Sequence, residues 1–327
     1  EVKQLFQEAF LAIWDGRAEN DEFNRLVIGG NLSWREVTLL RAYTRYNRQL
    51  RFDSSQPYIA DALARHMQVT KLLVALFRAR LDPARQASEK RDAVTKRLEN
   101  SVLDALDQVD NLNDDRIMRR LLALIKATLR TNYFQMDAQG LPKTYVSFKL
   151  SPRQIGNIPR PIPMFETYVY CPRVEGVHLR GGKVARGGLR WSDRQEDFRT
   201  EVLGLVKAQQ VKNSVIVPVG AKGGFVARNL HQKIGREEIQ AEGIACYQIF
   251  IRGLLDLADN LVEGKLVPPR DVVRLDPDDP YLVVAADKGT ATFSDIANAI
   301  AEEYGFWLGD AFASGGSQGY DHKGMGI

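Results

Sequence analysis

The apolar residues change their spacing near residue 140, and no other feature limits the possible folds as strongly. Before this point, apolar side chains recur at helical intervals, as Val2, Phe6 and Phe10 do. After it come short β-type runs at 145–149 and 165–170, and then helical stretches that alternate with apolar strands. Such alternation is typical of an α/β layer. The sequence therefore predicts an all-α region followed by an α/β domain.

Capping and turn residues give these regions their predicted limits. Ser33 followed by Glu36 has the form of a capping box at the start of a helix. Residues 137–142 form a turn-rich connector. We therefore predict a helical module over 1–140 and an α/β domain over 141–327. The helical stretches predicted within the first region are 2–13, 33–43, 57–72, 86–109 and 114–129.

Composition excludes several classes of protein. No run approaches the roughly 18 apolar residues of a membrane span. The only cysteines are Cys171 and Cys246, so a disulfide scaffold is excluded and a reducing cytoplasm is expected. The four histidines lack metal-ligand spacing, and a net charge of +4 gives no reason to expect nucleic-acid binding. Because the chain begins at Glu1 without a signal sequence or an initiator Met, we expect a piece of a longer cytoplasmic protein.

Three clusters join glycines to charged side chains at the ends of predicted elements. The first covers 180–192 and contains Arg186, Gly187, Gly188 and Arg190. Paired glycines allow a backbone to approach a ligand closely, and guanidinium groups bind carboxylate or phosphate through paired hydrogen bonds. This cluster predicts an anion site, with a solvated basic loop as the alternative.

The second cluster runs from Lys212 to Gly224. An apolar strand over 215–217 precedes a Gly-x-Lys-Gly-Gly turn, which places Lys222 at the mouth of a sheet. It is not a P-loop, because the six-residue glycine frame and the Ser or Thr after the lysine are missing. A lysine held between glycines can be desolvated, which favours the neutral amine that a general base requires. An exposed turn lysine is the alternative.

The third cluster, at 283–290, is an apolar strand that ends in Asp287. Open α/β sheets bind ligands at the carboxyl ends of their strands, so this carboxylate is a candidate site residue. An aspartate that only serves the backbone of the following turn is the alternative. Ser192 and Thr292, each followed three residues later by Gln or Asp, have the form of helix caps.

The three clusters, in this order, resemble the substrate domain of glutamate dehydrogenases, above all the large NAD-specific bacterial class. The matching segments are Gly-Gly-Leu-Arg-Trp at 187–191, Lys-Asn at 212–213 with Pro-Val-Gly-Ala-Lys-Gly-Gly at 218–224, and Ala-Asp-Lys-Gly at 286–289. Residues 314–327 resemble the passage of that class to its nucleotide domain. The resemblance implies an α/β substrate-binding domain of the amino-acid dehydrogenase type, preceded by an all-α region, with the nucleotide-binding Rossmann domain absent from this chain.

The resemblance also implies roles for individual residues. Lys222 matches the family's catalytic lysine, and Asp287 matches the carboxylate that exchanges protons with the substrate amine. Lys212 matches the lysine that holds the substrate α-carboxylate. Arg186 stands where ordinary members carry the lysine that meets the side-chain carboxylate, and its planar head requires a shifted geometry. The other substrate-binding residues predicted are Gly187, Gly188, Arg190 and Gly223.

The reaction implied is the NAD-dependent oxidative deamination of L-glutamate to 2-oxoglutarate and ammonia. Arg186 and Lys212 would orient the two carboxylates, Lys222 would activate water, and Asp287 would move the amine proton. The sequence has no Gly-x-Gly-x-x-Gly turn, so we expect NAD to bind mainly beyond Ile327 and the chain alone to be inactive. A cytoplasmic homo-oligomer is expected, with no metal ion and no nucleic-acid or membrane partner.

Two alternatives remain open. A dehydrogenase of the same fold that acts on leucine or phenylalanine would place an apolar residue where Arg186 lies. A non-catalytic anion-binding or interaction module would use the basic stretch 180–194 to contact phosphates. The second alternative leaves Lys222 and Asp287 without a role.

Overall fold

A computed structural model of the chain describes residues 2–85, 88–212, 219–233 and 235–317. Its helices are α1 Val2–Trp14, α2 Arg25–Gly30, α3 Trp34–Gln49, α4 Gln56–Arg65, α5 Met67–Leu81, α6 Ser88–Leu106, α7 Leu112–Ala127, α8 Phe198–Lys212, α9 Arg236–Leu255 and α10 Ser294–Glu303. Its strands are β1 Thr128–Thr131, β2 Val146–Leu150, β3 Phe165–Tyr170, β4 Val174–Arg180, β5 Ala185–Trp191, β6 Val219–Ala227, β7 Asn260–Val262, β8 Lys265–Val267, β9 Val283–Ala286 and β10 Ala313–Ser314. Within the described ranges, no helix is long and apolar enough to span a bilayer.

One mixed sheet organises these elements. Its strand order is β1-β2-β3-β4-β6-β5-β9-β10, and β7 pairs only with β8 in a separate hairpin. The half from β1 to β6 is antiparallel, whereas β6, β5, β9 and β10 run parallel. The predicted helical region followed by an α/β layer is therefore confirmed. Strand β5 lies between β6 and β9, so the three clusters of the sequence meet in neighbouring strands.

Helices cover both faces of this sheet. On one face Tyr43 of α3 stacks on Phe148 of β2, with 4.4 Å between ring centroids, and Phe77 of α5 meets the same ring edge-on. On the other face Phe250 of α9 packs against Phe225 of β6. The N-terminal helices thus share one apolar core with the sheet.

Local signals locate most helix starts correctly, and tertiary contacts account for one difference. The capping box is confirmed, since Ser33 Oγ accepts from the Glu36 amide and Glu36 Oε2 accepts from the Ser33 amide at 2.9 Å. The predicted helix over 57–72 is instead two helices, α4 and α5, which meet at His66. There the Asp114 carboxylate, from a distant helix, lies 2.9 Å from His66 Nε2 and also binds the preceding Arg65.

The helix predicted over 114–129 ends earlier, at Ala127. Residues 128–131 form β1, which pairs with β2 at the edge of the sheet. The sheet therefore begins before the boundary proposed at residue 140. That boundary stays a prediction, since the helices of the first region and the strands of the second bury the same core.

A buried ion pair fixes the start of α8 against the sheet. Arg199 Nε and Nη2 each lie 2.7 Å from the Glu166 carboxylate of β3, and both side chains are fully buried. The Arg199 amide also donates to Gln49 Oε1 of α3 at 3.2 Å. Helix α8 is thereby held to both the sheet and the N-terminal helices.

Replacing Glu166 by Gln should lower the free energy of unfolding by about 3–5 kcal/mol, because a buried guanidinium that loses its carboxylate keeps an uncompensated charge. Urea denaturation of the chain, followed by circular dichroism, measures this loss. Asp61→Asn is the matched control, since Asp61 pairs with Arg25 at the surface and such pairs contribute about 0–1 kcal/mol. Equal losses in the two variants would show that the buried pair does not anchor α8.

Candidate active site

The site lies where β5, β6 and β9 run side by side. Lys222 belongs to β6, Arg190 to β5, and Asp287 follows directly after β9. The prediction that Asp287 ends a strand at its carboxyl end is confirmed. The predicted turn around Lys222 is wrong, because that residue lies inside a nine-residue strand that pairs on both sides. The alternative of a solvated basic loop at 180–192 can apply to only part of that cluster, since residues 185–191 form strand β5.

Glycines allow these strands to approach one another. A Cβ on Gly187 would lie 1.6 Å from the carbonyl oxygen of Ala221 in β6. One on Gly188 would lie 2.8 Å from the carbonyl oxygen of Ala286, at the end of β9. In β6, a Cβ on Gly223 would lie 2.5 Å from a side-chain carbon of Leu189. Each of these three positions must be glycine for the strands to pack this closely. The predicted contact of these glycines with substrate stays a prediction.

Lys222 and Asp287 form the centre of the site. Lys222 Nζ lies 3.5 Å from Asp287 Oδ2, and their side chains are 22 % and 17 % exposed. Asp287 Oδ1 accepts from the Lys288 amide at 2.7 Å and from Arg190 Nη2 at 3.3 Å. Asp287 Oδ2 is buried and accepts no hydrogen bond from the residues that the structure describes. One oxygen of this carboxylate therefore has two hydrogen-bond donors, and the other is buried without a donor among the described residues.

The surroundings of Asp287 keep it ionised. Burial on its own would raise the pKa of this carboxyl, but the Lys288 amide and the positive charges of Lys222 and Arg190 outweigh that effect and hold the pKa below its usual range. At neutral pH the group is thus a carboxylate that can accept a proton. The alternative interpretation is an aspartate that only stabilises its own turn. It accounts for the hydrogen bond from the Lys288 amide to Oδ1 and for the Asp287 amide, which donates to Thr290 Oγ1 at 3.0 Å. It does not account for the contacts with Lys222 and Arg190.

Arg190 lies between two carboxylates. Its Nη1 donates to Glu201 Oε1 of α8 at 2.8 Å, while Nη2 reaches Asp287. Glu201 Oε2 accepts in turn from Ser192 Oγ at 2.6 Å. Glu201 is not among the residues predicted from the sequence, because its helical position gives no sign that α8 crosses this end of β5. The predicted cap role of Ser192 is wrong, since α8 begins only at Phe198.

The remaining predicted residues are less completely defined. Arg186 is exposed on β5 and forms no ion pair with any described residue. Lys212 is the last residue of α8, and its side chain lies outside the described part of the structure, as does the predicted strand at 215–217. The predicted cap at Thr292 is also wrong, because Phe293 precedes α10 without a side-chain cap and Asp295 instead accepts from the Ser317 amide at 2.7 Å.

Two family models match this chain over separate ranges. The bacterial NAD-glutamate dehydrogenase catalytic domain matches residues 101–327, and the glutamate dehydrogenase helical motif 3 matches residues 18–83. The chain is 65 % identical to the NAD-specific glutamate dehydrogenase of Pseudomonas aeruginosa over 328 residues and 64 % identical to that of Halomonas elongata over 327 residues. It is 55 % identical over 332 residues to the NAD-specific glutamate dehydrogenase of Mycobacterium tuberculosis.

These matches cover nearly all of this chain but a small part of each relative. They span 100 %, 100 % and 98 % of the chain, and 20 % of each of the three relatives. The chain belongs to the bacterial NAD-glutamate dehydrogenase catalytic-domain family. It corresponds to about a fifth of the length of the curated relatives that it matches.

Replacing Gly187 by Ala should destabilise the chain by about 3 kcal/mol or more, because the added Cβ meets backbone that cannot move without separating β5 from β6. Gly204→Ala is the matched control. Gly204 lies inside α8, and a Cβ there would meet no atom within 4 Å apart from its own helix backbone, so the same change should stabilise by about 0.5–1 kcal/mol. Urea midpoints of the two variants measure both effects, and a stable Gly187→Ala variant would contradict the proposed packing constraint.

Proposed function

We propose that this chain supplies the substrate-binding half of the active site of an NAD-dependent glutamate dehydrogenase, which converts L-glutamate to 2-oxoglutarate and ammonia. The observation that carries the proposal is the Lys222–Asp287 pair at the end of β9, in which one buried carboxylate oxygen has no hydrogen-bond donor among the described residues. The names of the relatives support the same reaction. The fold proposed is the substrate domain of the amino-acid dehydrogenase type.

Two cations are proposed to orient the substrate. The exposed guanidinium of Arg186 has no described ion-pair partner, which leaves it available for the side-chain carboxylate of glutamate. Lys212 is assigned to the α-carboxylate from the family resemblance. Binding both carboxylates fixes the α-carbon and its amine relative to the strand ends. Such orientation can lower the activation free energy by at most about 7–11 kcal/mol.

Lys222 and Asp287 are proposed to move the protons. Oδ2 of Asp287, which has no hydrogen-bond donor among the described residues, can accept a proton from the substrate ammonium and return it to the departing ammonia. Lys222, whose Nζ lies 3.5 Å from that oxygen, can in its neutral form take a proton from the water whose oxygen replaces nitrogen on the α-carbon. The pair thus links water activation to protonation of the leaving group.

The described residues include no strand-to-helix turn of the Gly-x-Gly-x-x-Gly kind, so they do not by themselves fit the diphosphate of a dinucleotide. We infer that NAD is bound mainly by residues outside this chain, in a Rossmann domain. NAD, when bound, accepts the hydride from the α-carbon. The cytoplasmic location and the homo-oligomeric state are proposed on the same family grounds.

In the whole enzyme, Lys222→Ala should lower kcat for glutamate oxidation by about 10²–10⁴-fold, because general acid–base catalysis by a placed side chain contributes about this much. The measurement is NADH formation with glutamate at saturating NAD. Lys207→Ala is the matched control, since Lys207 is an exposed lysine of α8 with no role in the proposed site.

The same assay separates the possible outcomes. Activity with glutamate that is lost in Lys222→Ala and kept in Lys207→Ala supports the reaction and its central residue. Activity only with a neutral amino acid indicates the related dehydrogenase instead. The 327-residue chain alone should give no steady turnover, and sustained glutamate-dependent NADH formation by it would contradict the inference that NAD binds elsewhere.

Arg186→Leu should lower kcat/KM for glutamate by about 10–100-fold, because a hydrogen bond to a charged group contributes about 1.5–3 kcal/mol. Activity with leucine should rise relative to glutamate, since an apolar side chain then faces the substrate. Lys183→Leu, an exposed cation in the turn before β5, is the control that should keep the substrate preference. If Arg186→Leu leaves glutamate activity intact, the side-chain carboxylate is bound by another group.

A further inference from the structure

Four side chains form a hydrogen-bonded chain that links Glu201 of α8 to the proposed proton-transfer carboxylate. They are Ser192, Glu201, Arg190 and Asp287. Ser192 Oγ donates to Glu201 Oε2 at 2.6 Å, and Glu201 Oε1 accepts from Arg190 Nη1 at 2.8 Å. Arg190 Nη2 then reaches Asp287 Oδ1 at 3.3 Å. The guanidinium is therefore shared, and its shorter contact is with Glu201. The geometry leaves the longer and weaker contact to Asp287.

Glu201 is a fixed anchor. It lies two residues after Arg199, whose fully buried ion pair with Glu166 holds the first turn of α8 to β3. Ser192 is held from the other side, since its amide donates to the Phe225 carbonyl at 2.8 Å. Both partners of the Glu201 carboxylate, Ser192 and Arg190, thus occupy set positions. Glu201 itself belongs to a helix and not to a loop.

Glu201 is also charged. Burial would raise the pKa of this carboxyl, but the hydrogen bonds from Ser192 and Arg190 and the positive charge of Arg190 lower it below its usual range. Charges along the chain therefore alternate, with Glu201 negative, Arg190 positive and Asp287 negative. Without the Glu201 charge, Arg190 would have Asp287 as its single carboxylate partner among the described residues.

We propose that Glu201 is a positioning residue for Asp287, acting through Arg190, in the reaction proposed above. By sharing the guanidinium, Glu201 keeps Arg190 from closing fully on Asp287. The carboxylate then keeps the orientation that presents Oδ2, and it stays basic enough to accept a proton. Glu201 does not touch the substrate. The inference rests on the proposed function, since it requires Asp287 to move protons during turnover.

The sign of the expected pH effect follows from the charges that face Asp287. These are Lys222 from β6 and Arg190 from β5, with the Lys288 amide on its own turn, and Glu201 beyond Arg190 from α8. Removing the Glu201 charge takes away a negative neighbour and frees Arg190 to pair with Asp287. Both changes favour the ionised form of Asp287. The acid limb of the kcat/KM profile, where Asp287 gains a proton, should therefore move to lower pH.

The test uses the whole enzyme in the glutamate oxidation assay across a range of pH. Glu201→Gln should lower kcat by about 10–100-fold, since a misplacement of about 1 Å can cost roughly this factor. KM for glutamate should change far less, because Arg186 and Lys212, the two cations proposed to orient the substrate, are not among the described contacts of Glu201. The acid limb should shift to lower pH. Asp193→Asn, which removes an exposed negative charge beside Ser192, should leave both kcat and the acid limb unchanged.

Glu201→Asp separates positioning from folding, because it keeps the charge on a shorter side chain. An acid limb between the wild-type position and that of Glu201→Gln supports the inference, because the shorter carboxylate keeps its charge but weakens its contact with Arg190. If Glu201→Gln does not fold, a shift of the Glu201→Asp acid limb to lower pH supports the inference, and an unshifted limb overturns it. An unchanged acid limb in a folded Glu201→Gln variant overturns it, even when kcat falls, because that pattern indicates a merely structural role. A wild-type enzyme that does not oxidise glutamate refutes the proposed function itself. An active wild-type enzyme whose kcat and acid limb are unchanged in Glu201→Gln refutes only the positioning role of Glu201.

Discussion

The close approach of β5 to both of its neighbours is the constraint on which the site depends. A side chain on Gly187 would collide with the backbone of β6, and one on Gly188 would collide with the end of β9. Because both positions are glycine, the three parallel strands lie close enough for Lys222 of β6 and Asp287, after β9, to pair at 3.5 Å. The glycines that first suggest a ligand loop are thus explained by the packing that brings the charged groups together.

A second set of contacts holds the strand that carries Asp287. Three cations of the sheet form ion pairs with three carboxylates of the segment that leads to β9. The cations are Arg130, Lys149 and Arg180, and the carboxylates are Asp259, Asp276 and Asp279. All six side chains are buried or nearly so, and each charge among them has an oppositely charged partner within the group. Balance is required, since an unpaired buried charge costs several kcal/mol. The antiparallel half of the sheet thereby fixes the approach to β9 in the parallel half.

The N-terminal helices take part in the same architecture. They cover one face of the sheet, where Tyr43 stacks on Phe148, and Gln49 binds the start of α8. Helix α8 in turn presents Glu201 to Arg190. The helical region therefore supports the element that borders the proposed active site. This arrangement gives the region a physical connection to the chemistry without placing any of its residues in the site.

The sequence by itself determined the helix-to-sheet order, the family and the candidate pair Lys222 and Asp287, because periodicity and short motifs are local properties. It did not determine the break at His66, the strand around Lys222 or the partners of Arg190. Those depend on residues distant in the sequence, such as Asp114 and Glu201, which only the folded chain brings near. Tertiary structure decided them because hydrogen bonds and ion pairs between distant segments leave no periodic trace in the sequence.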